Sequence, residues 1–471
     1  MTLSRIARAV NGRLIGVDVE VDHVVTDTRN LSVEAASAGL YVALKGDNFD
    51  GHDYVAQAAV GGARAALVSR PLALDLPQVV VADTQLALAD LAASVHRERD
   101  AKVIAITGSN GKTSVKALTT AILERAGRAY ATPGNRNNEI GMPLTVLDAP
   151  EDAQFAVYEM GSGAPGDIAY LTRIAPPHVA LVNNVAPAHI ERMGSLLGIA
   201  DTKAAVYDDL VNGGVAVINA DDAFAPFFAE RAHGHRIIRF GLEAGADVTA
   251  RDIALNAHGS RFVLITPEGE AEVELAMPGR HNVANALAAA SLALGAGASL
   301  QTITEGLNAA RPVAGRLISH MIAPGVVLID DSYNANPGSL KAAIETMASL
   351  GGERWLVLGD MRELGDDGVA LHAEVGRRAR DSGIARLYAL GALSAAAAEA
   401  FGEGAQLFET HAALAERLRA DLDASPRAVE AGAIALRVLV KGSRGSAMDR
   451  IVAAVLATQA TTAGGGQTHA A

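Results

Sequence analysis

The segment 105–114 reads Ala-Ile-Thr-Gly-Ser-Asn-Gly-Lys-Thr-Ser, and its residue types suit the binding of phosphate groups. Gly108 and Gly111 let backbone N–H groups converge on phosphate oxygens, Lys112 supplies a positive charge, and the Thr113 hydroxyl can ligate Mg²⁺. An apolar strand precedes the segment and an alanine-rich helix follows it, so the positive end of the helix also faces the phosphates. The segment predicts a nucleoside triphosphate site with these binding residues: Gly108, Asn110, Gly111, Lys112, Thr113 and Ser114.

Polar side chains also follow two other apolar runs, at the point where each run ends. Glu159 follows 155–158, and a carboxylate there is well placed to hold Mg²⁺, because ligands of doubly wound sheets bind beyond the carboxyl ends of the strands. His189 follows 179–182 and is a candidate metal ligand, a phosphate neighbour or a structural histidine. Lys203 lies fourteen positions later in an alanine-rich segment, and by itself it resembles a solvated helix residue.

Two later segments carry side chains suited to the rest of a nucleotide. Gly-Arg-His-Asn-Val-Ala-Asn at 279–285 opens a helix, and Asp-Asp-Ser-Tyr-Asn-Ala-Asn-Pro at 330–337 follows an apolar strand. An amide such as Asn282 can read the edge of adenine, Arg316 can meet a terminal phosphate, and a strand-end carboxylate such as Asp331 can bind ribose hydroxyls. Spacing alone does not assign these roles.

The order of elements predicts an α/β protein. Short strands at 21–26, 39–44, 65–68 and 78–81 indicate a small α/β module in the first hundred residues. Continuous apolar strands between helices then indicate a mostly parallel sheet covered on both faces, with strands at 103–106, 155–158, 179–182 and 215–218. Alternating residues over 247–277 predict antiparallel strands that flank this sheet.

A third unit begins after the Pro- and Gly-containing segment 311–316, which interrupts helix and strand alike. Its strands are predicted at 326–329, 355–358, 387–390 and 433–440, in a doubly wound, Rossmann-like sheet. We therefore expect three domains and a disordered tail, with boundaries at 1–100, 101–313, 314–460 and 461–471.

Composition narrows the classes of partner. The chain has 471 residues, a net charge of −13 and no cysteine, so nucleic acid is disfavoured and disulfides and thiolate metal sites are excluded. The N-terminus lacks the apolar core of a signal peptide, and the long uncharged stretch 282–304 is too rich in Ala, Gly and Ser for a membrane span. We expect a cytoplasmic protein, a monomer, and a buried helix over 282–304.

Together these motifs resemble the Mur ligases over about residues 20–455. The motifs that carry the resemblance are the phosphate loop, Glu-Met-Gly at 159–161, Asn-Val-Ala-Pro-Ala-His at 184–189, Lys203, the segments 279–285, 315–316 and 330–337, and the signatures at 41–53, 359–365 and 440–446. The resemblance implies an ATP-dependent ligase of peptidoglycan synthesis, with a UDP-sugar-binding first domain, an ATP-binding second domain and a third domain that closes over it.

The resemblance also implies a role for individual residues. Lys112 and Thr113 would serve the phosphates and a first Mg²⁺, Glu159 and His189 a second metal, and Lys203 would act as a carbamate that binds metal. Asn282 would contact adenine, Asp331 the ribose and Arg316 the γ-phosphate, so the expected catalytic residues are Lys112, His189, Lys203 and Arg316. The implied substrate-binding residues are Asp27, Thr28, Arg29, Lys45, Asn137, Asn138, Tyr333 and Asn336.

Within the resemblance, 333–337 favours a ligase that adds D-alanyl-D-alanine to UDP-N-acetylmuramoyl-tripeptide. The Asp-Asn-Pro-Arg motif expected of the diaminopimelate-adding member is absent from the third domain. Two alternatives stay open: another amide ligase, such as a folylpolyglutamate synthase, and a nucleotide-driven switch that forms no peptide bond.

Overall fold

The computed structural model describes residues 1–31, 38–46, 48–187, 190–243, 245–256, 258–425 and 434–463. These residues form four sheets, three of them mostly or wholly parallel. No helix within these ranges is long and apolar enough to cross a membrane. The α/β class predicted from the strand and helix order is confirmed.

The first sheet has the strand order β1-β5-β4-β3-β2, with only the β1–β5 pair antiparallel. Its strands are β1 (Arg13–Ile15), β2 (His23–Val25), β3 (Gly39–Val42), β4 (Ala65–Val68) and β5 (Gln78–Val80). The accompanying helices are α1 (Leu3–Ala9), α2 (Val55–Val60) and α3 (Thr84–His96). The Asp83 carboxylate caps α3 by accepting from two backbone N–H groups, which fixes where this helix begins.

The second sheet is parallel throughout, in the order β11-β10-β9-β6-β8-β7. Its strands are β6 (Lys102–Thr107), β7 (Ala129–Ala131), β8 (Phe155–Glu159), β9 (Val179–Val182), β10 (Val215–Asn219) and β11 (Arg236–Phe240). Between them lie α4 (Lys112–Ala126), α5 (Gly141–Asp148), α6 (Asp167–Ile174), α7 (Ile190–Met193), α8 (Leu196–Ala204) and α9 (Ala225–Arg231). Alternate residues of β6 enter two separate buried clusters, one on each face, which explains its uninterrupted apolar sequence.

An antiparallel three-stranded sheet follows, as the alternating pattern over 247–277 predicts. It contains β12 (Thr249–Leu255), β13 (Ser260–Thr266) and β14 (Gly269–Leu275), and it leads to α10 (Arg280–Gly295) and α11 (Leu300–Ala309). The apolar side chains of the sheet join α10 in the core on one face of the second sheet.

The last sheet has the order β15-β16-β20-β17-β18-β19, with only the β15–β16 pair antiparallel. Its strands are β15 (Ile318–Ala323), β16 (Val326–Asp331), β17 (Glu353–Gly359), β18 (Arg386–Leu390), β19 (Ala405–Phe408) and β20 (Leu436–Lys441). The helices are α12 (Pro337–Ala348), α13 (Gly368–Asp381), α14 (Ser394–Phe401), α15 (His411–Asp423) and α16 (Asp449–Ala463).

Several predicted boundaries are wrong by a few residues. The first predicted strand, 21–26, shortens to three residues because its partner β3 offers only three paired positions. The stretch 282–304 forms two helices rather than one, since a turn at 296–299 that includes left-handed Gly297 separates α10 from α11. Helix α16 continues to Ala463, past the expected start of the tail at 461, and residues 464–471 lie outside the described ranges.

Candidate functional site

The phosphate-binding loop joins β6 to α4 at the carboxyl edge of the second sheet. Gly111 has a φ of +80° and stands at the start of α4, where a Cβ atom would lie 2.5 Å from the Asn285 Oδ1 atom. Position 111 therefore requires glycine, because its φ is positive and because there is no room for a Cβ atom. The Lys112 ammonium donates to the Gly108 carbonyl at 2.7 Å, and burial is the main cause that lowers its pKa. The Lys112 side chain thus folds back over the loop that precedes it.

Glu159, the last residue of β8, is buried beside this loop. Its Oε2 atom accepts from the Thr113 hydroxyl at 3.1 Å and lies 3.3 Å from the Lys116 Nζ atom, while Oε1 accepts from the Asn137 amide at 2.8 Å. Lys116 also donates to the Thr132 carbonyl at 2.8 Å. The two predicted oxygen ligands, Thr113 and Glu159, are therefore in contact with each other, and the buried Lys116 lies beside them.

Two oxygen ligands of this kind fit Mg²⁺, which usually takes one or two protein oxygens together with phosphates and water. Within the described ranges, no three His, Cys, Asp or Glu side chains are grouped closely enough to hold a metal ion. The predicted ligand His189 lies outside the described residues.

Lys203 lies on α8 and is only 2% exposed, so it is not the solvated helix residue that its neighbours alone suggest. Its Nζ atom donates to the Ser162 hydroxyl at 3.0 Å. Burial lowers the pKa of this amine well below its ordinary value; the charge of Lys112 lowers it further, and Asp167 opposes the shift. Burial thus disfavours the charged form of an amine that lies near the phosphate loop.

A first cleft lies between the second sheet and the third domain. A chain of amides lines it: Asn183 donates to Asn285 at 3.3 Å, Asn285 donates to Asn282 at 3.2 Å, and Asn282 donates to the Pro278 carbonyl at 2.8 Å. Apolar and aromatic side chains form its other walls, namely Phe240, Met277, Pro312, Val313, Leu317 and Ala342. A cleft with apolar walls and convergent amides suits a nucleobase.

Two cations of the third domain face the clefts, and each has a defined partner. Lys441 is buried and its Nζ atom lies 2.5 Å from the Asp331 carboxylate. The Arg316 guanidinium lies over the Tyr333 ring, 4.3 Å from its centroid, which orients it across the boundary between the domains.

A second cleft adjoins the first and is more charged. It contains Lys112, Glu159 and Arg316 together with the expected substrate residues Asn137, Asn138, Tyr333 and Asn336. Further lining residues are Ser162, Asp167, Arg192, Glu363 and Arg444. The two clefts share Asn110, Gly111, Arg316 and Ser339.

The remaining expected substrate residues follow β2 and β3 of the first sheet rather than lining these clefts. Asp27 accepts from the Arg29 backbone at 2.9 Å and from its guanidinium, and this arginine is the main cause of the low pKa of Asp27, about 2. Thr28 lies between them in a short 3-10 helix, and Lys45 is exposed. The structure thus brings thirteen predicted site residues to the two clefts: Asn110, Gly111, Lys112, Thr113, Ser114, Asn137, Asn138, Glu159, Asn282, Arg316, Asp331, Tyr333 and Asn336.

Three further polar residues support the site, and sequence reasoning assigned no individual role to any of them, although Asn285 and Lys441 lie in the motifs at 279–285 and 440–446. Lys116 follows Lys112 by one helical turn, a spacing that predicts the same face of α4. Asn285 lies three residues after Asn282, which likewise predicts a shared face. The pairing of Lys441 with Asp331 carried no local signal, because the two residues are 110 positions apart.

Comparisons with known proteins agree with this geometry. A model of the Mur ligase middle domain matches residues 106–293, and a model described as Mur ligase, glutamate ligase domain matches residues 315–456. A UDP-N-acetylmuramoyl-tripeptide–D-alanyl-D-alanine ligase of Escherichia coli is 44% identical, covering 97% of this chain and 98% of its own length. This chain belongs to the Mur ligase family.

Solved structures resemble this Mur ligase over nearly its full length. MurF from Acinetobacter baumannii superimposes with a TM-score of 0.90 at 35% identity, covering 97% of this chain and 98% of its own. The MurF ligase of Thermotoga maritima, crystallised in complex with ADP, gives a TM-score of 0.81 at 27% identity over 94% and 99%. A folylpolyglutamate synthase of Mycobacterium tuberculosis, at 20% identity and a TM-score of 0.63, shares the fold alone.

Proposed function

We propose that this Mur ligase joins D-alanyl-D-alanine to UDP-N-acetylmuramoyl-tripeptide, with cleavage of ATP to ADP and phosphate. The product is the UDP-N-acetylmuramoyl-pentapeptide precursor of peptidoglycan, so the enzyme serves cell-wall synthesis, cell shape and division. The observation that carries this proposal is the full-length similarity to the Escherichia coli ligase of that name. The ordered phosphate loop beside a buried carboxylate supplies the chemistry that such a reaction needs.

The reaction must make a carboxylate reactive towards an amine in water. We propose that the terminal carboxylate of the tripeptide attacks the γ-phosphate of ATP, which gives an acyl phosphate and ADP. The dipeptide amine then attacks the acyl carbon, loses a proton, and phosphate leaves. Lys112 and Arg316 stabilise the charge on the transferred phosphoryl group, and the two clefts hold the reactants in line.

Thr113 and Glu159 would hold Mg²⁺ together with the phosphates, and we expect a second ion near Glu159, Lys203 and His189. Mg²⁺ bound there neutralises phosphate charge. The Thr113–Glu159 contact at 3.1 Å supports the first site, since hydroxyl and carboxylate oxygens are ligands that Mg²⁺ prefers.

We further propose that Lys203 is carbamylated. A neutral amine adds to CO₂ through its nitrogen lone pair and loses one proton, which leaves a negatively charged carbamate with two oxygen ligands. The burial of Lys203 and its lowered pKa support this step, because a protonated amine has no lone pair to react. Protein equilibrated with ¹³C-bicarbonate should show one carbamate carbon resonance that Lys203→Arg lacks; identical spectra would reject the modification.

The division of labour among domains is also part of the proposal. Residues 1–100 would bind the UDP-sugar, with Asp27, Thr28, Arg29 and Lys45 near the uridine and diphosphate. Residues 101–313 would bind ATP, with Asn282 at the adenine and Asp331 of the neighbouring domain at the ribose. Residues 314–460 would bind D-alanyl-D-alanine. We expect a cytoplasmic monomer.

The first test is phosphate release from ATP with Mg²⁺, UDP-N-acetylmuramoyl-tripeptide and D-alanyl-D-alanine, with each component omitted in turn. The proposal requires that release depends on both substrates and that the product has their summed mass less one water. Lys112→Met serves as the matched inactive control. Release that is indifferent to the dipeptide would instead indicate another amide ligase or a nucleotide-driven switch.

A further inference from the structure

We propose that a hydrogen bond between Asn336 and Asn110 is a latch that ties the third domain to the phosphate-binding loop. The Asn336 Nδ2 atom donates to the Asn110 Oδ1 atom at 2.7 Å, although the two residues are 226 positions apart in the chain. Asn336 is then a positioning residue for phosphoryl transfer rather than a contact for the dipeptide. This inference rests on the proposed function for the presence of a nucleotide in the loop.

On the loop side, Asn110 is fixed by its backbone. Its N–H donates to the Asn184 Oδ1 atom at 2.8 Å, and its carbonyl accepts from the Asn183 amide at 2.9 Å and the Asn184 amide at 3.2 Å. Both partners directly follow β9 of the second sheet. The backbone of Asn110 thus belongs to the rigid edge of the sheet, and its side-chain oxygen faces the third domain.

On the other side, Asn336 caps α12. Its Oδ1 atom accepts from the Ser339 N–H at 2.9 Å, and the Ser339 hydroxyl accepts from the Asn336 N–H at 3.1 Å, which completes a capping box. Because the cap uses the amide oxygen, the NH₂ group is the part of the side chain that meets Asn110. The orientation of the amide is therefore determined by its hydrogen bonds.

Gly338, in the first turn of α12, lies close to the loop because it has no side chain. A Cβ atom at Gly338 would come 3.3 Å from the Asn110 Nδ2 atom and 3.4 Å from the Ala186 Cβ atom. Asn110 and Ser339 line both clefts, so the latch lies where the two clefts meet. That is where the proposed carboxylate of one substrate reaches the γ-phosphate of the other.

A second contact across the same boundary is weaker. The Thr346 hydroxyl lies 3.4 Å from the His281 Nδ1 atom, about three helical turns further along α12 than Asn336. The helix is thus held near its start by a short hydrogen bond and further along by a long one. We infer that the Asn336–Asn110 hydrogen bond fixes the position of the third domain relative to the phosphate-binding loop.

The test separates the two roles of the Asn336 side chain, which are the hydrogen bond to Asn110 and the capping of α12. Asn336→Ser keeps a good capping residue but cannot reach Asn110, whereas Asn336→Ala loses both interactions. Asn110→Ser removes the other partner of the latch. For each variant and for the double Ser variant we would measure kcat, the Kd for ADP, and hydrogen exchange of the segments 108–114 and 337–348.

We expect Asn336→Ser to lower kcat about fivefold, the usual effect of one hydrogen bond, while the Kd for ADP changes less than about twofold. The double variant should lose about fivefold rather than about twenty-fivefold, because both single changes remove the same bond. Exchange should rise in 108–114 for Asn336→Ser. The latch would be overturned if the losses of kcat in the two single variants added up in the double variant, if kcat did not change, or if exchange became faster only in 337–348. Asn336→Ser should still form the ligation product, which distinguishes failure of the latch from failure of the ligase assignment.

Discussion

Replacing Lys441 by Met should destabilise the third domain strongly, although the side chain stays close to its original size. Lys441 and Asp331 form an ion pair at 2.5 Å, with side-chain exposures of 1% and 9%. The substitution leaves the Asp331 carboxylate buried without its cation. Breaking a buried pair in this way costs about 3–5 kcal/mol, whereas an exposed pair costs less than about 1 kcal/mol.

The chain offers a matched control and a local probe. Lys341 and Glu345 form an exposed pair on α12 of the same domain, so Lys341→Met removes a lysine charge at a cost of about 0.5 kcal/mol or less. Trp355, the only tryptophan in the sequence, is buried in β17 of this domain. Urea unfolding followed by its fluorescence therefore reports the third domain selectively.

The double variant Asp331→Asn/Lys441→Met tests whether the lost stability comes from the unpaired Asp331 charge. It removes both charges, so its free energy of unfolding should return to within about 1 kcal/mol of the original protein, although ADP binding stays weakened by the loss of the carboxylate. A double variant as unstable as Lys441→Met would refute the electrostatic explanation. So would a Lys441→Met variant no less stable than Lys341→Met.

Three other predictions concern the nucleotide site. Lys112→Met should lower kcat at least about a hundredfold while calorimetry shows unchanged binding of the UDP-peptide, and joint loss of both would count against the separation of the two sites. Gly111→Ala should abolish measurable ADP binding, because the added Cβ atom would lie 2.5 Å from the Asn285 side chain. Gly213→Ala is the control, since Gly213 has a similar φ of +76° but open space around it, and this variant should bind ADP normally. Equal ADP binding by the two variants would contradict the steric argument. The pKa of His281 is lowered to about 4, mainly by burial, with Asp331 opposing the shift and Lys441 adding to it, so the unfolded chain binds a proton that the folded protein does not. Stability should therefore fall as the pH falls from 6.5 towards 4, and His281→Gln should show a smaller drop in melting temperature between pH 7 and pH 5 than the original protein.

Local signals predicted the parts of the site that lie close together in sequence. The phosphate loop was evident because glycine, lysine and threonine stand between a strand and a helix, and the strand-end position of Glu159 predicted its place beside Thr113. Its neighbours alone do not indicate that Lys203 is buried, because its burial depends on long-range packing that includes the contact with Ser162. No local pattern could pair Lys441 with Asp331, since that contact depends on two strands that are adjacent only in the folded sheet.

Helix α5 has a consequence for how this chain can be divided. Its side chains Leu144 and Leu147, with the preceding Ile140, pack against the core of the first sheet, although the helix belongs by sequence to the second unit. The loop before the helix carries Asn137, whose amide contacts Glu159. A fragment ending near residue 100 would leave an apolar face of its core open to water. The first module is therefore complete only together with α5, whose preceding loop also contacts the Glu159 carboxylate.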